Sequence, residues 1–149
     1  MSTVKTPYPL PNEMSPNLLR VWSYWESLKR AGNEMPFWDD LKLSALPDLT
    51  DSLLLIDVFA SPERFRFNTI GKEFAASDGQ SLIGKFADEV ALRGRLEYFR
   101  SQCSATVEGG IPTFYRHDGS QEAPAFARLL LPMWGDGHIS MLLGALDRR

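Results

Sequence analysis

Gly79-Gln-Ser-Leu-Ile-Gly84-Lys85-Phe86 comes within one residue of a loop that could cradle a phosphate. A G-x-x-x-x-G-K-[ST] loop holds phosphate oxygens with backbone amides and a lysine, and places its closing hydroxyl on Mg²⁺. Phe86 stands where that hydroxyl should be, and the segment follows a helix-like stretch rather than a strand, so nucleotide hydrolysis is not expected. Gly79 is read as the end of a helix and Gly84 as a turn. His117 and His138, the only histidines, each flank a predicted hairpin turn, where polar side chains are usually exposed. Cys103, the single cysteine, reads as a small buried hydrophobe. In the acidic pairs Asp39-Asp40 and Asp88-Glu89 adjacent side chains diverge, which suits solvation, or a helix cap at Asp88, better than a metal site. No nucleophile, base and orienting group share a credible spacing, so the chain is read as a non-enzyme without a metal site.

The elements that carry these residues can be read from periodicity. The chain has 149 residues, 44% of them hydrophobic and 23% charged, which suits one globular domain. A net charge of −3 offers no basic surface for nucleic acid or an anionic membrane. One cysteine forbids an internal disulfide, and neither a secretion signal nor an apolar run long enough to span a bilayer is evident, so a cytoplasmic setting is expected.

Residues 1–14, with Pro7, Pro9 and Pro11, form a flexible Pro-rich arm. Ser15 and Pro16 start an amphipathic helix within 15–32, whose stripe Leu18, Val21, Trp22, Trp25 and Leu28 runs to a stop at Gly32. Residues 33–149 form the core of the domain. Within it, Leu53–Phe59 and Arg64–Ile70 make a hairpin, with Phe65, Phe67 and Thr69 on one face of the second strand. A helical pattern covers 88–107, with Gly94 able to divide it and Gly109-Gly110 closing it. Strands follow at Thr113–His117, 125–134 and 138–146, with Asp118-Gly119 and Asp136-Gly137 at the hairpin turns. Pro132 should mark a bulge or the unpaired side of its strand.

Tyr24-Trp25-Glu26-Ser27-Leu28, Met35-Pro36, Leu54-Leu55-Ile56-Asp57-Val58, Arg64-Phe65-Arg66-Phe67 with Gly71, Leu82-Ile83-Gly84 and Leu129-Leu130-Leu131-Pro132-Met133, followed by Gly137 and Leu143-Gly144, occur in that order. This succession resembles PAS domains, and more closely the compact bacterial single-domain PAS family with an N-terminal Tyr-Trp-x-Ser-Leu helix. The resemblance implies an α+β fold: a five-stranded antiparallel sheet, order 2-1-5-4-3, with helices on one face and the N-terminal amphipathic helix in addition. It also implies a sensory or protein-interaction module of signal transduction that acts as a homodimer. Only Asp147-Arg148-Arg149 follow the last strand, so output is expected to pass through a separate signalling protein.

The resemblance does not name a cofactor. No histidine lies between Asp88 and Gly110, where a haem-binding PAS domain would place its axial ligand, and Cys103 lacks the Asn-Cys-Arg-Phe setting of flavin photosensors. Haem and photoactive flavin are both disfavoured. A small ligand would lie between the helices and the sheet, against Phe67, Phe74, Phe99, Tyr115, Phe126 and Met141, with Arg128 available to anchor an anion. Alternatively these side chains simply fill the core. Leu18, Val21, Trp22 and Trp25 either fold back onto the sheet or form the dimer interface, and the interface is the expectation. The rival reading is a cone-shaped α+β enzyme of isomerase or dehydratase type, with Asp57 as its inward acid.

Overall fold

The computed structural model describes residues 8–74, 82–121 and 124–148. Residues 1–7 of the arm and the helix end expected at Gly79 lie outside the described residues. Five strands, β1 (Leu53–Phe59), β2 (Arg64–Ile70), β3 (Thr113–His117), β4 (Phe126–Gly135) and β5 (His138–Arg148), form one antiparallel sheet in the order β2-β1-β5-β4-β3. The long apolar runs lie on β4 and β5, which are covered on both faces; β2 alternates.

Local chemistry accounts for the turns and irregularities. Asp136 (φ 51°) and Gly137 (φ 82°) both take the left-handed conformation that a two-residue hairpin loop requires between β4 and β5. Asp118-Gly119 does not make such a turn. His117 pairs with Phe126, which leaves 118–125 as a longer connection. In β1–β2, Leu55 pairs with Thr69 but Ile56 pairs with Phe67, so the register slips past Asn68. The slip turns Ile70, rather than the expected Thr69, onto the core face beside Phe65 and Phe67. Phe114 donates its amide away from β4, to the Tyr8 carbonyl at 3.2 Å, so on β4 the amides aimed at β3 belong to residues 128, 130 and 132. Pro132 lies beyond the last β3 partner, Thr113 opposite Leu130, where its missing N–H leaves no gap in the ladder.

Among the described residues, two helices cover opposite faces of the sheet. The first, α1 (Pro16–Ser27), is capped by the Ser15 hydroxyl, which accepts from the Leu18 amide at 3.4 Å. Its stripe Leu18, Val21 and Trp25 is buried in the cluster that holds Leu129, Leu131, Met133 and Leu143. The Trp25 indole donates to the Pro132 carbonyl at 3.0 Å. Arg20 grips Asp48 through two bonds of 2.6 and 3.0 Å, and Arg30 grips Asp40 through two of 3.0 Å, so the acidic residues of the connection tie α1 down.

On the other face α2 (Phe99–Gly109) is shorter than the expected helix over 88–107. Gly94 (φ 59°) and Tyr98 (φ 56°) break the helical path, leaving single turns at Ala87–Glu89 and Gly94–Leu96. Asp88 is not a helix cap either. Glu89 accepts from the Phe86 amide at 3.2 Å, while Asp88 pairs with Arg64 at 3.2 Å. Both sheet edges are partly closed: Tyr8 lies along β3, and Phe67 of β2 exchanges bonds with Lys85 (2.9 Å) and Gly84 (2.7 Å). Among the described residues no helix is long and apolar enough to cross a membrane.

Candidate functional site

The least ordinary group in the molecule is the guanidinium of Arg128, which is fully buried on the α2 side of the sheet. Alternation on β4 puts it there, because Phe126, Arg128 and Leu130 share one face while Ala127, Leu129 and Leu131 face α1. A buried charge is costly unless it is fully hydrogen-bonded. Here Nε donates to the Gln102 amide oxygen at 2.7 Å, Nη1 to the Arg95 carbonyl at 2.7 Å and Nη2 to the Glu97 carbonyl at 2.9 Å. The plane lies 5.2 Å from the Phe99 ring centre and 5.0 Å from that of Tyr115, close enough for both π faces to stabilise the cation. Burial pushes its pKa down to about 10, so it remains charged at neutral pH.

Around it lies a closed polar cluster. Gln102 donates to the Thr113 hydroxyl (3.1 Å) and the Arg128 carbonyl (3.2 Å), Thr106 donates to the Gln102 carbonyl (2.8 Å), and the two threonine hydroxyls share a bond of 2.6 Å. At its outer edge a single carboxylate oxygen of Glu97 accepts from the Tyr115 hydroxyl and from His117 Nδ1, both at 2.8 Å. Burial first, then the Glu97 bond, pushes the Tyr115 hydroxyl well above its ordinary pKa. Burial likewise pushes up the Cys103 thiol, which packs as the sequence suggests and is disfavoured as a thiolate nucleophile.

Of the seven residues expected to line a ligand pocket, Phe67, Phe74, Phe99, Phe126 and Arg128 are buried together on the α2 side, with Tyr115 half-buried beside them. They touch one another: Phe67 stacks on Phe99 with centroids 5.7 Å apart. Met141 does not join them, because it faces α1 on the opposite side of the sheet. Arg128 has three of its five N–H donors committed to protein acceptors, so an anion bound there would have only one remaining hydrogen on each Nη to use.

His117 departs from the expected surface position. Its ring lies 5.4 Å from that of Phe126 and its side chain is 18% exposed, because Thr113, Tyr115 and His117 alternate on the same face of β3. That alternation is the signal in the sequence that locates it. Gln102, Thr106 and Thr113 carried no comparable signal. Asp57 is not turned into the α2-side core: it shares a face of β1 with Leu53 and Leu55, and bonds Arg66 at 3.1 Å and Asn68 at 3.3 Å.

Of the four residues assigned to a dimer interface, Leu18, Val21 and Trp25 are buried by the chain's own sheet, and Trp22 is half-buried beside Trp25 at 5.7 Å. Folding back onto the sheet, the other course open to this stripe, is what the structure shows. No family model matches the chain, and comparison with curated proteins finds no match to it.

Proposed function

We propose that the chain is a PAS-type sensory or protein-interaction module that passes its signal to a separate protein. The observation that carries this reading is the division of the 2-1-5-4-3 sheet: one face holds the Arg128 core under α2 and the other holds α1. A shift of the Arg128-bound segment 94–98 bears directly on β4, whose opposite face carries Leu129, Leu131 and Met133 against α1. A ligand or partner that favours one arrangement of these layers then alters the surface that α1 presents. Burial of the α1 stripe within the chain removes the main drive for a dimer through Leu18, Val21 and Trp25. Self-association through α1 would use its outer side, where Leu19 is exposed and Trp22 half-buried. The alternative, a cone-shaped α+β enzyme, would need Asp57 to act from the α1-side face of β1, where it pairs with Arg66 at 3.1 Å.

Native mass spectrometry of freshly purified protein, combined with hydrogen exchange on Arg128→Met, tests the proposal. A signalling layer predicts that loosening 94–98 speeds exchange in α1 by more than in the β1–β2 hairpin, which reports the global loss of stability. Exchange that rises in 94–98 and α2, with α1 moved no more than that hairpin, would overturn the coupling. Extra mass on the native protein would identify a retained ligand, and a doubled mass would identify a dimer.

A further inference from the structure

Apart from the Arg128 cluster, an open cleft of about 390 Å³ lies between the C-terminal half of α2 and the β1–β2 and β4–β5 turns. Val58, Phe59, Val107, Trp134 and Ile139 make its walls apolar, and Glu63 supplies a carboxylate. We infer that this cleft binds a small organic cation, an ammonium group on an apolar or aromatic body.

The size is that of a small-molecule site. Two of its aromatic side chains, Phe59 and Trp134, are each 37% exposed, so an apolar body seated there would remove large hydrophobic surfaces from water. The sign of the ligand follows from Glu63. Its one hydrogen bond among the described residues is from the Ser104 hydroxyl at 2.6 Å, and no described cation forms an ion pair with it. The neighbouring Arg64 is taken by Asp88 at 3.2 Å and Glu89 at 3.8 Å, and its guanidinium lies 3.7 Å over the Phe86 ring. Glu63 attracts a cation by charge and the Trp134 ring attracts it through its quadrupole, while the Phe59 ring, which already carries the Arg66 guanidinium at 4.9 Å, offers apolar contact. A smaller polar recess of about 160 Å³ shares Glu63 and is lined by Arg64, Asp88, Arg100, Ser101 and Ser104, so guanidinium groups stand on that side and a ligand cation has to approach from the apolar cleft. The inference stands apart from the sensory reading, since the cleft would bind such a cation whatever the output of the protein.

Titration of the full chain with 2-phenylethylammonium chloride, followed by amide NMR at low salt, tests it. Saturable binding is expected, with shifts at Glu63, Val107, Trp134 and Ile139. The neutral isostere 2-phenylethanol should bind about three- to five-fold more weakly, as suits an ion pair at an exposed site. Glu63→Gln should erase that difference, and so should salt near about 0.5 M. Glu63 is exposed, so this variant is expected to melt like the parent. Ser104→Ala frees Glu63 of its internal partner and should keep amine binding. No saturation by about 10 mM, equal binding of amine and alcohol, shifts confined to another surface, tighter binding of 3-phenylpropionate, or a dimer that buries the cleft would each overturn the inference.

Discussion

Arg128 donates to the backbone carbonyl of Glu97 at 2.9 Å, while the Glu97 carboxylate turns away to Tyr115 and His117. The buried cation is thus held by neutral acceptors and two π faces. Two of its three hydrogen bonds join β4 to the irregular segment that precedes α2, and the third joins it to Gln102 of α2 itself. Arg128→Met keeps much of the volume but leaves the Arg95 and Glu97 carbonyls and the Gln102 oxygen without their donor. A loss of about 3 kcal/mol in urea unfolding is expected, since each abandoned buried acceptor costs on the order of 1 kcal/mol or more. Arg128→Lys should recover only part of it, because one ammonium cannot reproduce the planar fork. A lysine variant as stable as the parent would show that the fork is not what matters.

Trp25 and Leu19 lie on opposite sides of α1, one fully buried and the other 45% exposed. Trp25→Ala opens a large cavity and strands the Pro132 carbonyl, so a loss of about 3 to 5 kcal/mol is expected. Leu19→Ala should change stability by no more than about 0.5 kcal/mol. If the variants cost the same, or if Trp25→Ala acts only by splitting a dimer, α1 does not sit on its own sheet in solution.

The strands were legible because their signals are local: alternating residues in β2, and Asp136-Gly137 between two apolar runs. The capped start of α1 was legible for the same reason. Its docking face was not, since a stripe of Leu18, Val21 and Trp25 looks alike whether the chain's own sheet or another chain covers it. The Arg128 cluster was legible only in part. Arg128 stood out as a charge in an apolar run, but its acceptor on Gln102 is 26 positions away, and the left-handed turn at Tyr98 that presents the Glu97 carbonyl has no signature in residue type. Helical spacing likewise extended across 88–98, where Gly94 and Tyr98 break the chain.

Gly71 ends β2 with its amide on the Leu53 carbonyl at 2.8 Å. A β-carbon added there would meet the backbone carbonyls of Asp51 and Thr50, which the Leu53 bond and the following strand hold in place. Gly71→Ala is therefore expected to cost about 2 kcal/mol or more in urea unfolding. Gly84→Ala is the useful comparison: the space is open and only its φ of 87° is unfavourable, for a cost of about 1 kcal/mol. The order of the two midpoints separates steric collision from backbone preference.

Alkaline pH should destabilise the protein through Cys103 before any other buried group. The thiol titrates near 9 when the chain is unfolded, whereas burial holds it protonated in the fold well above that. Above pH 9 the unfolded state therefore carries fewer protons on this group than the native state, and stability falls as pH rises. The slope approaches about 1.4 kcal/mol per pH unit. Tyr115, raised by burial and by its bond to Glu97, adds a fall of the same sign from about pH 10. Arg128 works in the opposite direction above pH 10, because its native pKa of about 10 lies below the unfolded one and the cost of burying its charge is relieved. Between pH 9 and 10 the thiol dominates these three contributions, which isolates it. Urea midpoints of Cys103→Ala should lie lower at pH 7 because of the smaller side chain, yet vary less between pH 8 and 10 than those of the parent. Parallel curves for the two proteins would mean that the thiol is not held protonated by the fold.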